Sequence, residues 1–135
     1  MPGDKWQTPP EVYDELNNEF HFNHDPCPIT WKVGDPDGLT TEWGTRTFCN
    51  PPYSNPSPWI KKARDESLKG KLVVMLMNAT TDTIAFHTYI YPEFQKPDGK
   101  VEIRFLPKRV KFINPETGKR VGTNPHASMV VIFKP

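Results

Sequence analysis

Apolar and polar positions repeat with different periods along this chain, and each period predicts an element. Lys71-Leu72-Val73-Val74-Met75-Leu76-Met77 is apolar at every position after the first, the pattern of a strand buried on both faces. Thr45-Arg46-Thr47-Phe48-Cys49 is a shorter β-branched and apolar run, and Val101–Leu106 and Ala127–Phe133 read as two further strands. Val12, Leu16 and Phe20 recur at helical spacing, which predicts a helix from about residue 9 to 19. Trp59, Ile60, Ala63 and Leu68 predict a second from about residue 57 to 69, with Lys61, Lys62, Arg64 and Asp65 outward and Gly70 as its stop. Phe20–Asp25 reads as a short strand ending in an acid. Lys108–Phe112 alternates basic and apolar residues as a half-exposed strand would, and Asn114–Arg120 makes a polar hairpin tip.

Local chemistry sharpens the ends of these elements. Thr8-Pro9-Pro10-Glu11 has the form of a capping box, with a proline suited to the first helical turn. The hydroxyls of Thr80, Thr81 and Thr83, together with Asp82, are placed to cap a third helix running to about Tyr91. With 135 residues the chain is expected to be one domain, residues 1–135, and its 16 prolines imply many loops. A net charge of +1 gives no strong global field, so any nucleic-acid contact must rest on local patches. No apolar run reaches the length of a membrane span and no secretory leader is visible, so the expected compartment is the cytoplasm. The two cysteines read as reduced, buried hydrophobes, and the four histidines lack metal-type spacing, so no metal is expected.

The chemistry concentrates at Cys49-Asn50-Pro51-Pro52-Tyr53-Ser54. Two consecutive prolines cannot continue a central strand, so the chain must turn after Cys49. Pro51 forces Asn50 into an extended conformation at the strand's carboxyl end, where open α/β sheets place their ligands. The Asn50 amide oxygen and the Pro51 carbonyl are two acceptors, and Tyr53 adds a flat face. That set suits a planar ring carrying an amino group, adenine or cytosine. In such a ring the amino lone pair is delocalised. Two acceptors gripping both N–H hydrogens favour a more tetrahedral nitrogen, which is help aimed at the transition state.

The stretch resembles the catalytic motif of amino-group methyltransferases, and the whole chain resembles the small bacteriophage DNA N6-adenine methyltransferases. The resemblance runs from Trp6 to Phe133 and rests on ordered motifs: Thr8-Pro9, Asp25-Pro26-Cys27, Asp37-Gly38-Leu39, Asn50-Pro51-Pro52-Tyr53, then Arg109-Val110-Lys111-Phe112 and an apolar C-terminal strand. It implies S-adenosylmethionine as cofactor, held by Trp6, Gln7, Thr8, Pro9, Asp25, Pro26, Cys27, Asp37, Leu39 and Asn50, with Trp43 as a further apolar wall. It implies Asn50, Pro51, Pro52 and Tyr53 as the catalytic set, and a target adenine flipped out of double-stranded DNA to stack on Tyr53. Ser54, Lys108, Arg109, Lys111, Lys119 and Arg120 would then contact DNA. The motif after Asp25 continues as Pro28-Ile29-Thr30, where the family pattern is glycine-rich.

Only 11 residues separate Asp25 from Asp37, too few for a helical crossover and its returning strand. The expected architecture is therefore a shortened Rossmann-like α/β sheet, mostly parallel, with an antiparallel C-terminal hairpin and flanking helices. Two other readings stand beside the DNA enzyme. One is methylation of RNA adenine or of a protein glutamine amide, which the same acceptors would grip. The other is a DNA-binding protein without catalysis.

Overall fold

A computed structural model of the chain describes residues 6–122 and 124–135. Its centre is the strand β2 (Leu72–Asn78), whose Leu72–Met77 are all buried. β1 (Arg46–Cys49) lies parallel to β2 with Cys49 opposite Met75, and β4 (Ser128–Phe133) lies antiparallel on its other side with Ser128 opposite Asn78. β3 (Val101–Phe105) pairs antiparallel with β4, giving the order β1-β2-β4-β3. β1, β2 and β3 thus run one way, and β4 is inserted against them. The directions match the expected sheet, but only one of the three ladders is parallel, so the sheet is mixed. The last strand reaches its place by entering between β2 and β3, and its antiparallel partner is β3, across a long connection, rather than the Lys108–Phe112 arm expected for the C-terminal hairpin.

Alternation along the strands explains why both faces are covered. Val73, Met75, Met77, Met129, Val131 and Phe133 face Ile60 and Ala63 of α2 (Ser57–Ser67) and the helical segment at residues 84–94. Leu72, Val74, Leu76, Val130 and Ile132 face Leu16 of α1 (Pro10–Phe20) together with Val110 and Phe112. A strand inside such a sandwich has no polar face, which is the origin of the continuous apolar run. The helical segment begins at Ile84 and passes through a π-helical turn, Phe86–Ile90, directly into α3 (Tyr91–Phe94).

Several local expectations are corrected. α1 has Pro9 at its N-cap and no side-chain cap: Thr8 Oγ1 is taken by Asn50, and Glu11 pairs with Arg120. Of the groups expected to cap the third helix, the Thr83 hydroxyl does so, accepting the Phe86 N–H at 3.2 Å. Leu68 lies beyond the end of α2 and is 77% exposed, while Glu66 and Ser67 are buried in its place. Residues 108–112 form no strand, although Val110 and Phe112 are buried as the alternation implied; Ile113 alone bridges, to Gln7 and to Arg120. The strand expected over Phe20–Asp25 shrinks to one parallel bridge, His24 to Thr47, beside β1. His21 is left-handed at φ 54° and Pro26 has no N–H, so the extended backbone is cut short at both ends. Residues 26–45 then contain neither helix nor strand, as the short Asp25–Asp37 spacing requires.

Candidate active site

Asn50 follows the last residue of β1, at the same end of the sheet as Asn78 of β2 and Ser128 of β4. Its amide nitrogen donates to the Trp6 carbonyl at 2.7 Å and to Thr8 Oγ1 at 3.2 Å. Those two bonds tie the N-terminal segment to the end of β1 and fix which way the amide faces. Its oxygen Oδ1 is buried and accepts no hydrogen bond among the described residues. Leaving such an acceptor unpaired costs about 1–3 kcal/mol, a cost that a bound N–H donor would remove.

A cleft of about 330 Å³ opens beside Asn50. Trp6, Gln7 and Thr8 line one side of it, and Asp25 and Cys27 the other. Pro9 is buried, and Pro10 stands at the cleft instead. A slot of about 180 Å³ shares Cys27 with the cleft and is bounded by Pro26, Asp37, Gly38, Trp31, Pro52 and Trp59. Leu39 lines neither cavity. Trp43 lies behind the slot, 2% exposed and stacked on Trp59 with ring centres 6.5 Å apart. Of the residues named from the sequence, Trp6, Gln7, Thr8, Asp25, Cys27 and Asn50 line the cleft and Pro26, Cys27 and Asp37 the slot, whereas Leu39 and Trp43 line neither; Trp31 and Trp59, which the sequence reading did not name for the cofactor, line the slot.

Both acids named from the sequence also shape backbone turns. Asp25 Oδ1 accepts the Cys27 N–H and Asp37 Oδ1 accepts the Leu39 N–H, each at 2.9 Å. A third acid, Asp14, enters the cleft from α1 next to Tyr13. Burial, then the charges of Asp25 and Asp14, raise the Tyr13 phenol, so it stays neutral. Sequence reasoning missed Asp14 and Tyr13. The signal was their position three and four residues after Pro10, on the helix face that follows the Thr-Pro motif. Neither the cleft nor the slot has a lysine or arginine in its lining. Among the described residues no group of three or more His, Cys, Asp or Glu is gathered for a metal ion.

Tyr53 stands between two further cavities, each of about 230 Å³. One is walled by Trp6, Phe112, Val121 and Pro125, with Asn124 and His126 also lining it. The other is formed by Pro51, Pro52, Pro56, Met77, Asn78 and Thr80. The Tyr53 ring meets Phe112 edge-on, centres 5.7 Å apart at 84°. Burial pushes its phenol above the usual range, and the hydroxyl has no hydrogen-bond partner among the described residues.

The basic positions divide. Lys108, Lys111 and Lys119 are exposed on the stretch that carries Phe112, and Ser54 is exposed beside Tyr53. Arg109 donates to the Asn124 carbonyl at 3.1 Å, holding the loop that borders the Trp6–Tyr53–Phe112 cavity. Both terminal nitrogens of Arg120 are engaged by the Glu11 carboxylate, which the pairing draws down to about 2. The hairpin therefore presents fewer unengaged cations than its sequence suggested.

This geometry can be set beside known proteins. A DNA N-6-adenine-methyltransferase of Haemophilus phage HP1 (strain HP1c1) is 32% identical over 143 aligned residues, covering 98% of this chain and 79% of the phage protein. The family model described as DNA N-6-adenine-methyltransferase (Dam) matches residues 1–135. No solved structure matches the chain at a significant level. Since both sequence matches run the length of the chain, it belongs to the DNA N-6-adenine-methyltransferase (Dam) family.

Proposed function

We propose that this protein transfers a methyl group from S-adenosylmethionine to the N6 amino group of an adenine flipped out of double-stranded DNA. The observation that carries this reading is Asn50: an amide anchored through nitrogen, with a buried acceptor oxygen awaiting a donor. Family membership supplies the substrate and cofactor class. The sheet supports a shortened Rossmann-like methyltransferase fold, with three strands in one direction and the last inserted against them. Its reaction would take place in the cytoplasm, that of the host if the protein is phage-encoded.

The donor set of the groove fits the cofactor. When bound, S-adenosylmethionine supplies an electrophilic methyl group on a cationic sulfur. The 330 Å³ cleft meets its positive methionine end with Asp14 and Asp25 and no opposing cation, and favourable charge pairing is strengthened where water is partly excluded. The Trp31–Trp59 slot suits its adenine, with the Asp37 carboxylate as an acceptor for the ring amino group. Thr8, Gln7 and Trp6 close the other wall.

At the target, Asn50 Oδ1 and the Pro51 carbonyl accept the two amino hydrogens and draw the nitrogen toward tetrahedral geometry. The freed lone pair then forms the new N–C bond as the methyl carbon's bond to the cofactor's sulfur breaks, the electron pair staying on sulfur, which would leave as a neutral thioether. The product amino group is transiently cationic, is stabilised by the same two acceptors, and releases one proton to solvent. No strong base is required. We assign the target base to the cavity formed by Pro51, Pro52, Tyr53, Met77, Asn78 and Thr80, because it holds the Tyr53 ring together with Pro51, one of the two acceptors and the neighbour of Asn50. The experiment is incubation of the protein with methyl-labelled cofactor and duplex DNA, followed by nucleoside analysis. The expected product is N6-methyladenine. Label in cytosine, in RNA alone or in protein glutamine would overturn the assignment, as would no transfer at all.

Exposed lysines give a separate expectation for DNA binding. Replacing Lys108 and Lys111 together with glutamine should flatten the salt dependence of DNA affinity by about two slope units, roughly 0.9 for each lost phosphate contact. Cofactor affinity should not change. Arg120→Gln should leave the slope where it was, because Glu11 already holds that guanidinium. An unchanged slope in the lysine variant would move the DNA surface elsewhere and leave these residues as protection of an exposed hairpin.

A further inference from the structure

The stretch between Asp25 and β1 lacks the helix and strand that would normally brace a cofactor groove, yet one of its residues is gripped on both sides. Trp43 donates its backbone N–H to Glu66 Oε1 at 2.8 Å and offers its carbonyl to Lys71 Nζ at 2.5 Å. Glu66 and Lys71 pair with each other at 2.8 Å, and Glu66 is 1% exposed. Lys69 and Lys62 approach the second Glu66 oxygen at 2.7 and 3.5 Å, and Glu42 reaches Lys71 at 3.1 Å. Burial alone would raise the Glu66 carboxyl, but the hydrogen bonds from Lys69, Lys71 and Trp43 outweigh it and bring it to about 2. The carboxylate is charged, dehydrated and costly to remove from water. Such a group is a poor device for stability alone.

From Trp43 the contacts lead to the slot. Its indole N–H donates to the Gly38 carbonyl at 2.7 Å, and its ring stacks on Trp59. Gly38 is wedged: a Cβ there would collide with the Pro26 carbonyl and lie 2.9 Å from the Trp59 ring. Gly38, Trp59 and Pro26 are walls of the slot. We propose that Glu66, acting with Lys71 through Trp43, is a positioning residue that sets the spacing of the Gly38–Trp59 slot for an amino-bearing aromatic ring, in place of the missing strand and helix. This rests on the methyltransferase reading, in which that ring is the cofactor's adenine.

The test is titration of the folded full-length protein with S-adenosylhomocysteine, using Glu66→Gln and Trp43→Phe. Glu66→Gln neutralises the gripping carboxylate, and Trp43→Phe removes the donor to Gly38 and part of the ring stacked on Trp59 while keeping an aromatic side chain. Each is expected to weaken binding about tenfold or more. The double variant should be no worse than the weaker single, since groups acting in series are non-additive. In methyl transfer the KM for cofactor should rise, with kcat at saturating cofactor and the KM for DNA unchanged. If Glu66→Gln does not fold, Trp43→Phe decides alone. Wild-type affinity in Trp43→Phe, or additive losses in the double variant, would overturn the proposal while leaving the methyltransferase reading intact. A wild type that does not bind S-adenosylhomocysteine would overturn that reading, and this proposal with it.

Discussion

Asn50→Ala should lower the rate of methyl transfer about 10²–10³-fold at saturating cofactor and DNA, the usual loss when one preorganised transition-state partner is removed. Oδ1 is already buried and without a partner among the described residues, so none of its hydrogen-bonding capacity there must be taken from another group during reaction. The amide is also a structural tie. Because Nδ2 holds the Trp6 carbonyl and Thr8 Oγ1, the alanine variant should loosen one wall of the cofactor cleft. S-adenosylhomocysteine affinity is expected to fall as well, by up to about tenfold for the two lost bonds. Asn50→Asp separates the two functions. It keeps an acceptor toward the amino group but turns a carboxylate oxygen toward the Trp6 carbonyl, so it should retain partial turnover with weakened cofactor binding. Single-turnover methylation at saturating cofactor, run beside the titration, reads both effects. Wild-type turnover in Asn50→Ala would remove Asn50 from the chemistry.

What was legible in the sequence, and what was not, follows from the range of the interactions concerned. β2 and β4 announced themselves because a strand buried on both faces is apolar along nearly its whole length, here Leu72–Met77 and Met129–Phe133. Asn50-Pro51-Pro52-Tyr53 was legible because two prolines leave the backbone so few options. The order β1-β2-β4-β3 was not legible, since nothing local in Ser128–Phe133 states that it inserts between β2 and β3. Arg120 read as a DNA contact because its partner Glu11 lies 109 positions away in the chain. Glu66 read as part of an ordinary helix, because the groups that make its burial tolerable come from Trp43 and Lys71 on other elements. Trp31, Trp59 and Asp14 were missed as site residues for a related reason. Each reaches the groove from a different element, and only the folded chain brings them to it.

Tyr53 provides the second large effect, and its two substitutions should diverge. The hydroxyl is buried without a hydrogen-bond partner among the described residues, so it contributes nothing that phenylalanine lacks. Tyr53→Phe is therefore expected to methylate within about twofold of wild type and to melt at the same or a slightly higher temperature, since an unsatisfied buried polar atom costs about 1–3 kcal/mol. Tyr53→Ala removes the ring itself. The edge contact with Phe112 goes, worth about 0.5–1.5 kcal/mol beyond area burial, and so does the flat face on which a flipped base would stack, worth about 1–3 kcal/mol. The stacking loss alone corresponds to roughly a 5- to 150-fold fall in kcat/KM for DNA, at 1.4 kcal/mol per factor of ten. Cofactor affinity should hold, because Tyr53 does not line the cofactor cleft. The two contributions can be separated by placing 2-aminopurine at the target position: its fluorescence should be quenched by stacking in Tyr53→Phe and remain bright in Tyr53→Ala. If Tyr53→Ala methylates DNA as wild type does, the ring belongs to the packing around Phe112 alone, and the target base must rest against another wall.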